Sequence, residues 1–143
     1  MKILSIETSC DETAMALVEA QGGLLKPRFK ILKNLVASQI KIHQPFGGIV
    51  PNLAKREHLR NLPILLNKLK TQNPKLDLLA VTVGPGLEPC LWTGINFAKE
   101  LAQKLKTKNS KLKTISVNHL EGHLYSFLLS QKTLNPKKIF PAV

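Results

Sequence analysis

The chain has 143 residues, of which 43% are hydrophobic, a fraction typical of a folded domain and not of a disordered segment. Lysine and arginine number 21 against 9 aspartates and glutamates, so the formal net charge is +12 at pH 7. Such an excess attracts polyanions and favours nucleic acid as a partner, although lysines scattered over helix faces also serve solubility alone.

The two cysteines, Cys10 and Cys90, are far apart in the sequence and form no CxxC pair. This usage indicates a reduced, intracellular protein without disulfides. The opening MKILSIETSC lacks the apolar run of a signal peptide, and no stretch approaches the ~20 apolar residues of a membrane span. We therefore expect a cytoplasmic protein that does not associate with membranes.

The first part of the chain predicts three consecutive strands. Apolar and polar residues alternate over 2–7 and 13–20, which the loop TSCDE separates, and a third strand-like run covers 30–39. Residues 43–51, HQPFGGIVP, contain the prolines and glycines of a loop. These features indicate a meander at the start of a sheet.

The second part alternates helices with strands. From Asn52 onward, leucines at three- and four-residue steps predict a helix over 52–72, which Pro63 should kink or divide. The remaining predictions are a strand over 76–84, a helix over 90–106, a strand over 113–118, a helix over 119–131 and the start of a strand over 138–143. This order predicts an α/β fold, a mixed sheet with helices on its faces, in the ribonuclease-H-like arrangement of each lobe of the actin, sugar-kinase and Hsp70 ATPases.

Two histidines stand four residues apart in ISVNHLEGHLYSFLL, residues 115–129. A helical residue turns by about 100°, so His119 and His123 share one face within reach of a single metal ion, and Glu121 lies on the opposite side. Metalloproteases of the HExxH type need the glutamate beside the first histidine, so the order HxExH argues against a protease. A bare HxxxH also fits histidines that are merely hydrogen-bonded in the core.

Two details favour a metal site at this pair. The histidines follow the carboxyl end of a predicted strand, where open sheets place their ligands. Gly122 costs ~1 kcal/mol relative to alanine in a helix, which indicates close approach by a neighbour or ligand. A third protein ligand is expected, but the nearby sequence offers no further obvious histidine or carboxylate on that face.

The loop ETSCDET, residues 7–13, brings hydroxyls and the carboxylates of Asp11 and Glu12 together. These carboxylates can orient a nucleophile, accept a proton or hold a cation. Taken alone, the loop is better explained as a solvated turn, because aspartate, serine and threonine favour turns.

Two further segments are open to two interpretations each. Glycines at 84, 86 and 94 surround a helix start that can receive an anion, but without a GxxxxGK[ST] motif a tight strand-to-helix connection explains them equally well. Residues 46–58 combine glycines with basic side chains and His58. This segment is either a substrate or RNA contact or the solvated start of a helix.

Four stretches resemble the TsaD (Gcp) family, whose motifs stand in the same order. They are ILSIETSCDETAMALV, HQPFGGIVPNLAKREH, VTVGPGLEPCLWTGINFAKELA and VNHLEGHLYSFLL, and together they extend over nearly the whole chain. Members of this family are tRNA N6-adenosine threonylcarbamoyltransferases with two actin-like lobes. The resemblance implies transfer of a threonylcarbamoyl group from threonylcarbamoyl-adenylate to N6 of the adenosine adjacent to the anticodon.

The resemblance also implies roles for particular residues. His119 and His123 match the family's two metal-binding histidines, which hold one divalent metal, iron in the first place and zinc as the alternative. The family's third ligand is an aspartate of the second lobe. Asp11 and Glu12 match an acidic pair implicated in catalysis. In such a site the metal can polarise the carbamoyl carbonyl while a carboxylate assists deprotonation of the exocyclic amine. No residue is assigned to a further cofactor.

The resemblance implies that residues 1–143 are the family's first lobe, ending at the start of the strand between the lobes, and we expect the second lobe to be absent from them. Asn52 also stands where many relatives have glutamate. We expect the lobe alone to be inactive and to need a second lobe in cis or in trans. The implied partners are tRNA, a paralogous subunit without the histidine motif and an ATPase subunit, with the lysine-rich helices 52–72 and 99–113 as candidate tRNA surfaces.

Two alternatives to this enzyme remain open. One is a non-catalytic scaffold or split subunit of the same tRNA-modification complex. The other is a sugar- or acetate-kinase-like phosphotransferase, which shares the sheet but gives no reason for NHLEGH at residues 118–123.

Overall fold

Five strands form one mixed sheet in the computed structural model, which describes residues 1–23, 27–69, 76–106, 109–126 and 129. The strands are β1 (Lys2–Glu7), β2 (Glu12–Gln21), β3 (Arg28–Ser38), β4 (Leu78–Gly84) and β5 (Lys113–Asn118).

The strand order across the sheet is β3-β2-β1-β4-β5. The first three strands are antiparallel neighbours, whereas β4 lies parallel to β1 and β5 lies parallel to β4. The predicted meander followed by helix-linked strands is therefore confirmed. Because β1, β4 and β5 run in the same direction, their carboxyl ends reach the same edge of the sheet. The segments that follow these three strands meet at that edge.

The described part of the chain contains four α-helices, and a 3-10 turn follows the first of them. The helices are α1 (Ile40–His43), α2 (Pro51–Leu69), α3 (Glu88–Lys106) and α4 (His119–Tyr125), and the 3-10 turn is Gln44–Phe46. The loop predicted over 43–51 is thus wrong in its first part, where α1 ends and the 3-10 turn follows. The turn closes at Gly47, whose φ of 67° is open to glycine at little cost.

Pro63 lies inside α2, which continues through it, so the predicted division at this residue is wrong. The proline is exposed, whereas Leu62 and Leu65 on the opposite side are buried in the core. A proline in a helix interior costs about 3 kcal/mol. Burying one leucine contributes about 1.5–3 kcal/mol, so the packing of this helix outweighs the lost hydrogen bond.

Four further boundary predictions differ from the structure or extend beyond its described residues. A helix over 99–113 is wrong, because α3 ends at Lys106 and Lys113 already begins β5. The helix predicted over 119–131 is confirmed as far as Tyr125. Its last residues, the end of the helix predicted over 52–72, and the strand predicted over 138–143 lie outside the described residues.

The hydrophobic core lies between one face of the sheet and the two long helices α2 and α3. Side chains alternate along a strand, so every second residue of β1, β2 and β4 points to these helices. The buried cluster consists of Leu4, Ile6, Met15, Leu17, Leu62, Leu65, Leu69, Leu76, Leu79, Val81, Ala98, Leu101, Ala102 and Leu112. This core holds β1, β4 and the start of α3 in fixed relation, and so fixes the edge where their loops meet.

Two glycines let the loop after β1 pack directly on the connection between β4 and α3. A Cβ atom at Gly86 would lie 2.6 Å from the Ser9 carbonyl oxygen, and one at Gly94 would overlap the Thr8 hydroxyl. The loop is held there because the Leu87 N–H donates to the Ser9 carbonyl at 2.8 Å. The structure therefore supports the tight strand-to-helix connection as the reason for these glycines.

Gly94→Ala should lower the free energy of unfolding by about 1–3 kcal/mol, because Thr8 is fully buried and its hydroxyl donates to the Cys90 carbonyl. The matched control is Gly122→Ala, also in a helix, where nothing lies within 4 Å of the added Cβ. This control should gain up to about 1 kcal/mol in helix propensity. Urea unfolding of both variants measures the difference, and equal stability changes in the two would contradict the packing described for Gly94.

Candidate active site

A cavity of about 450 Å³ opens at the edge of the sheet where β1 and β5 end. It gathers side chains from the end of β1, the loop and first residue of β2, α1 and α4. The lining residues are Glu7, Ser9, Cys10, Asp11, Glu12, Ile40, His119 and His123. The structure thus brings all four residues predicted as catalytic or metal-binding into one cavity, although they come from opposite ends of the sequence.

The two histidines lie on one face of α4, as their spacing predicts. Their Nε2 atoms are 3.1 Å apart and the rings meet edge to face at a centroid distance of 4.5 Å. Asn118 caps this helix, because its side-chain oxygen accepts the N–H groups of Leu120 and Glu121 at 2.9 and 3.2 Å. The cap fixes His119 as the first residue of the helix, at the mouth of the cavity.

This separation fits two nitrogen ligands of one metal ion. With metal–nitrogen distances of about 2.1 Å and an angle of about 90–110° at the metal, the two nitrogens lie about 3.0–3.4 Å apart. Among the described residues there is no group of three or more His, Cys, Asp and Glu side chains arranged to hold a metal. Within this part of the chain the histidine pair thus offers at most two of the ligands that a metal site needs.

Glu7, the last residue of β1, was overlooked as a partner of the histidines by sequence reasoning. Its Oε2 lies 3.4 Å from Nδ1 of His119, and Ser9 Oγ lies 3.2 Å from the same nitrogen. The Ser9 N–H donates to the other oxygen of Glu7 at 2.5 Å. The sequence did contain a signal for Glu7: it is an acidic residue at the carboxyl end of a buried strand. Ligands of open sheets bind at that end of the strands.

Burial alone would raise the pKa of Glu7, but hydrogen bonds from Ser9, Thr82 and His119 together hold this pKa below its ordinary value. Glu7 therefore stays an anionic carboxylate that only accepts hydrogen bonds.

The loop that carries Asp11 and Glu12 is not the solvated turn that its composition favours. Thr8 and Ser9 are buried, with 1% and 4% of their surface exposed. The Asp11 carbonyl accepts the N–H of Gln39 at 2.9 Å, which ties the loop to the start of α1. The composition was misleading for Thr8 and Ser9, because their hydroxyls contact the Cys90 carbonyl and His119 in neighbouring segments instead of water.

Cys10 lies between the loop backbone and the cavity. Burial, followed by the nearby negative charge of Asp11, raises the pKa of the Cys10 thiol, so it stays protonated at neutral pH.

His58 of α2 holds this loop through hydrogen bonds at both of its ring nitrogens. Its Nε2 lies 3.0 Å from the Cys10 carbonyl oxygen and its Nδ1 lies 2.8 Å from the Thr13 hydroxyl. A carbonyl only accepts, so Nε2 carries the proton and the Thr13 hydroxyl donates to Nδ1. His58 is fully buried, so both interpretations of residues 46–58 are wrong for this side chain.

The buried polar network continues through Gln39 to His43. The Gln39 side-chain oxygen lies 3.0 Å from His43 Nε2, while His43 Nδ1 accepts the Val50 N–H at 3.3 Å. The Gln39 amide in turn donates toward His58 Nδ1 at 3.4 Å. Every ring nitrogen of these two histidines has a partner, so the network joins α1, α2 and the loop of Cys10 into one rigid support.

Burial lowers the pKa of His58 below its ordinary value, although the Cys10 carbonyl and the charges of Glu7 and Asp11 oppose this. In the unfolded chain the ring titrates near its ordinary pKa of ~6.5, so below that pH the unfolded state binds more protons than the folded state. The contribution of neutral His58 to the free energy of unfolding should be fully present above about pH 6.5 and should be lost as the pH drops toward the pKa of His58 in the folded state. Urea unfolding measures the free energy of unfolding between about pH 8 and pH 5, and this free energy should fall less for His58→Gln than for the unchanged chain. The same pH dependence in both proteins would contradict this effect.

Two details of α4 and α2 complete the site. Nothing lies within 4 Å of a Cβ added at Gly122, so close approach by a neighbouring residue, one of the two reasons predicted for this glycine, is wrong among the described residues, and approach by a ligand stays a prediction. Lys55, Arg56 and Arg60 are exposed on α2, within one turn of the buried His58. They place positive charge on the exposed side of α2. None of the described helices is long and apolar enough to cross a membrane.

The sequence model of TsaD, described as tRNA N6-adenosine threonylcarbamoyltransferase, matches residues 30–143. The tRNA N6-adenosine threonylcarbamoyltransferase of Fervidobacterium nodosum is 45% identical over 143 residues, which are 97% of this chain and 39% of that protein. The protein of the same name from Thermosipho melanesiensis is 45% identical over 140 residues, 95% of this chain and 39% of that protein. The chain thus spans about 39% of the length of these two curated relatives.

Solved structures confirm the predicted ribonuclease-H-like, actin-like fold. YeaZ from Pseudomonas aeruginosa superimposes with a TM-score of 0.54 at 19% identity, over 87% of this chain and 48% of that chain. Thermus thermophilus RuvC in complex with Holliday junction substrate gives a TM-score of 0.56 at 12% identity, over 97% of this chain and 86% of that chain. At these identities the likeness shows the fold alone.

Proposed function

This chain belongs to the TsaD family of tRNA N6-adenosine threonylcarbamoyltransferases, and we propose that it supplies the acidic loop and the histidine pair of the transfer site. One observation carries the proposal: Asp11, Glu12, His119 and His123 line a single cavity. The reaction joins N6 of an adenosine to the carbamoyl carbon of threonylcarbamoyl-adenylate. The bond from that carbon to the phosphate oxygen breaks, and AMP leaves with the electron pair.

The exocyclic amine of adenosine is a weak nucleophile and must lose a proton during transfer. We assign this proton to Asp11 or Glu12. Two observations support the assignment: both residues line the cavity, and the backbone of their loop is held by α1 and α2. A rigid support keeps the acceptor in place without a reorganisation cost at the moment of reaction.

His119 and His123 hold one divalent metal in this proposal, iron or, as the alternative, zinc. When bound, that metal supplies a Lewis acid for the carbamoyl carbonyl and positive charge for the adenylate phosphate. The separation of the two Nε2 atoms supports this assignment. The further ligand comes from a second lobe, in cis or in trans, and without it the chain is expected to be inactive.

The tRNA is bound in part by the exposed basic residues of α2. The net charge of +12 and the exposure of Lys55 and Arg56 support this surface. The proposed setting is the cytoplasm, with a YeaZ-like paralogous subunit and an ATPase subunit as partners. Threonylcarbamoyl-adenylate is the co-substrate, made by a separate ATP-dependent enzyme.

A chimera tests the proposal. Residues 1–143 replace the matching segment of the Fervidobacterium nodosum relative, to which this chain is 45% identical. The chimera is incubated with unmodified tRNA, an adenylate-forming enzyme and the relative's partner proteins, and the digested tRNA is analysed by mass spectrometry. Modified adenosine is the expected product. A folded chimera that forms none, beside an active parent enzyme, would contradict the proposed function and favour a non-catalytic subunit.

A further inference from the structure

Glu7 is given no part in the transfer step proposed above, yet its carboxylate contacts His119 of the histidine pair. The two ring nitrogens of His119 face different partners: Nε2 faces His123, and Nδ1 faces Glu7 and Ser9. His43 and His58, by contrast, contact neutral carbonyl, amide and hydroxyl groups. The setting of His119 therefore differs from that of the two histidines that support the loop.

A neutral imidazole carries its proton on one nitrogen and offers a lone pair on the other. His119 can present the Nε2 lone pair to a metal only when the proton is on Nδ1, and a partly buried N–H at Nδ1 needs an acceptor. A carboxylate can only accept, whereas the Ser9 hydroxyl can accept or donate. Of the two groups that contact Nδ1, Glu7 is therefore the one that can act only as an acceptor of its proton.

We propose that Glu7 is the positioning residue of the metal site: its carboxylate accepts the Nδ1 proton of His119 and so directs Nε2 to the position shared with His123. This inference rests on the metal assignment proposed above. Glu7 is not itself a ligand here, because it contacts the far nitrogen of the ring and the described residues contain no group of three ligands. Replacing a carboxylate that orients a metal-bound histidine in this way commonly weakens metal binding by about 10–100-fold.

Ser9 holds Glu7 in this role. Its backbone N–H donates to Oε1 of the carboxylate, which leaves Oε2 facing the imidazole. Because Ser9 is buried and its carbonyl accepts the Leu87 N–H, the carboxylate is anchored to the connection between β4 and α3. The ring of His119 is therefore oriented by the sheet edge as well as by its own helix.

The test compares Glu7→Gln with the matched control Glu121→Gln, which removes the same charge from the side of α4 away from the cavity. Zinc affinity is measured by competition with a chromophoric chelator. Glu7→Gln should weaken binding by about 10–100-fold, and the control should stay within about twofold of the unchanged chain. Equal affinities for all three proteins would overturn the proposal.

A second measurement does not depend on the metal. In the metal-free chain, nitrogen NMR at a pH where imidazole is neutral should show His119 protonated at Nδ1. Glu7→Gln should shift a measurable fraction of the proton to Nε2, while the control should not. An unchanged tautomer would overturn the role of Glu7. If the unchanged chain bound no zinc but the tautomer shifted, the metal assignment would fail while the control of His119 by Glu7 would stand.

Discussion

Asp11→Asn in the chimera is expected to lower the rate of threonylcarbamoyl transfer to tRNA by about 10²–10⁴-fold, the usual effect of losing a proton acceptor. The substitution keeps the shape of the side chain and the backbone hydrogen bond from Gln39, so the loop should stay in place. Glu12→Gln is the parallel variant, and the larger loss of the two identifies the proton acceptor. The measurement is initial formation of modified adenosine at saturating adenylate.

The matched control for both substitutions is Glu19→Gln. Glu19 is a carboxylate of β2, paired with Lys2 and absent from the lining of the cavity. It should leave the rate within about twofold of the unchanged chimera, as expected for a surface change away from the site. Rates within the same margin for Asp11→Asn and Glu12→Gln would exclude the acidic loop from the proton transfer.

Replacing both His119 and His123 by alanine is expected to remove stoichiometric metal from the purified chain. The unchanged protein should carry about one divalent ion per chain after reconstitution, and the double variant less than about a tenth of that. Elemental mass spectrometry gives the ratio directly. Alanine favours the helical state, so α4 should remain folded and the loss should not reflect unfolding.

Two measurements make this result specific. Glu121→Gln, on the same helix, should retain the metal, and urea unfolding should show that the double variant keeps the stability of the core. Metal retained by the double variant would place the site elsewhere. Absence of metal from the unchanged chain as well would contradict the assignment of the histidine pair as a site that binds before the second lobe is added.

The spacing of apolar residues along the chain predicted most helices and strands of this fold, because residues that face the core recur with the period of the helix or strand. The alternation over 2–7 and 13–20 became β1 and β2, whose buried residues all face α2 and α3. Predictions failed where tertiary contacts decide the outcome. Pro63 stays within a helix because leucines on the opposite side are buried. The residues after Gln39 form a helix and a turn that proline and glycine alone do not specify.

Only the part of the candidate site that depends on local geometry was predictable from the sequence. The spacing of His119 and His123 fixes their common face through helix geometry alone. Glu7 and His58 could not be connected to the site in this way, because their partners are 112 and 48 residues away in the sequence. The parallel pairing of β1 with β4 and of β4 with β5 brings Glu7 and His119 to one edge, and the packing of α2 brings His58 to the loop of Cys10.

The most direct test is a single turnover with purified threonylcarbamoyl-adenylate, unmodified tRNA and an excess of the chimera that carries residues 1–143. AMP and modified adenosine are quantified in the same reaction. The account predicts one AMP for each modified adenosine, with both products lost together in Asp11→Asn and in the double histidine variant. AMP released without modification of the tRNA, or modification that persists in both variants, would contradict a transfer site built from this acidic loop and this histidine pair.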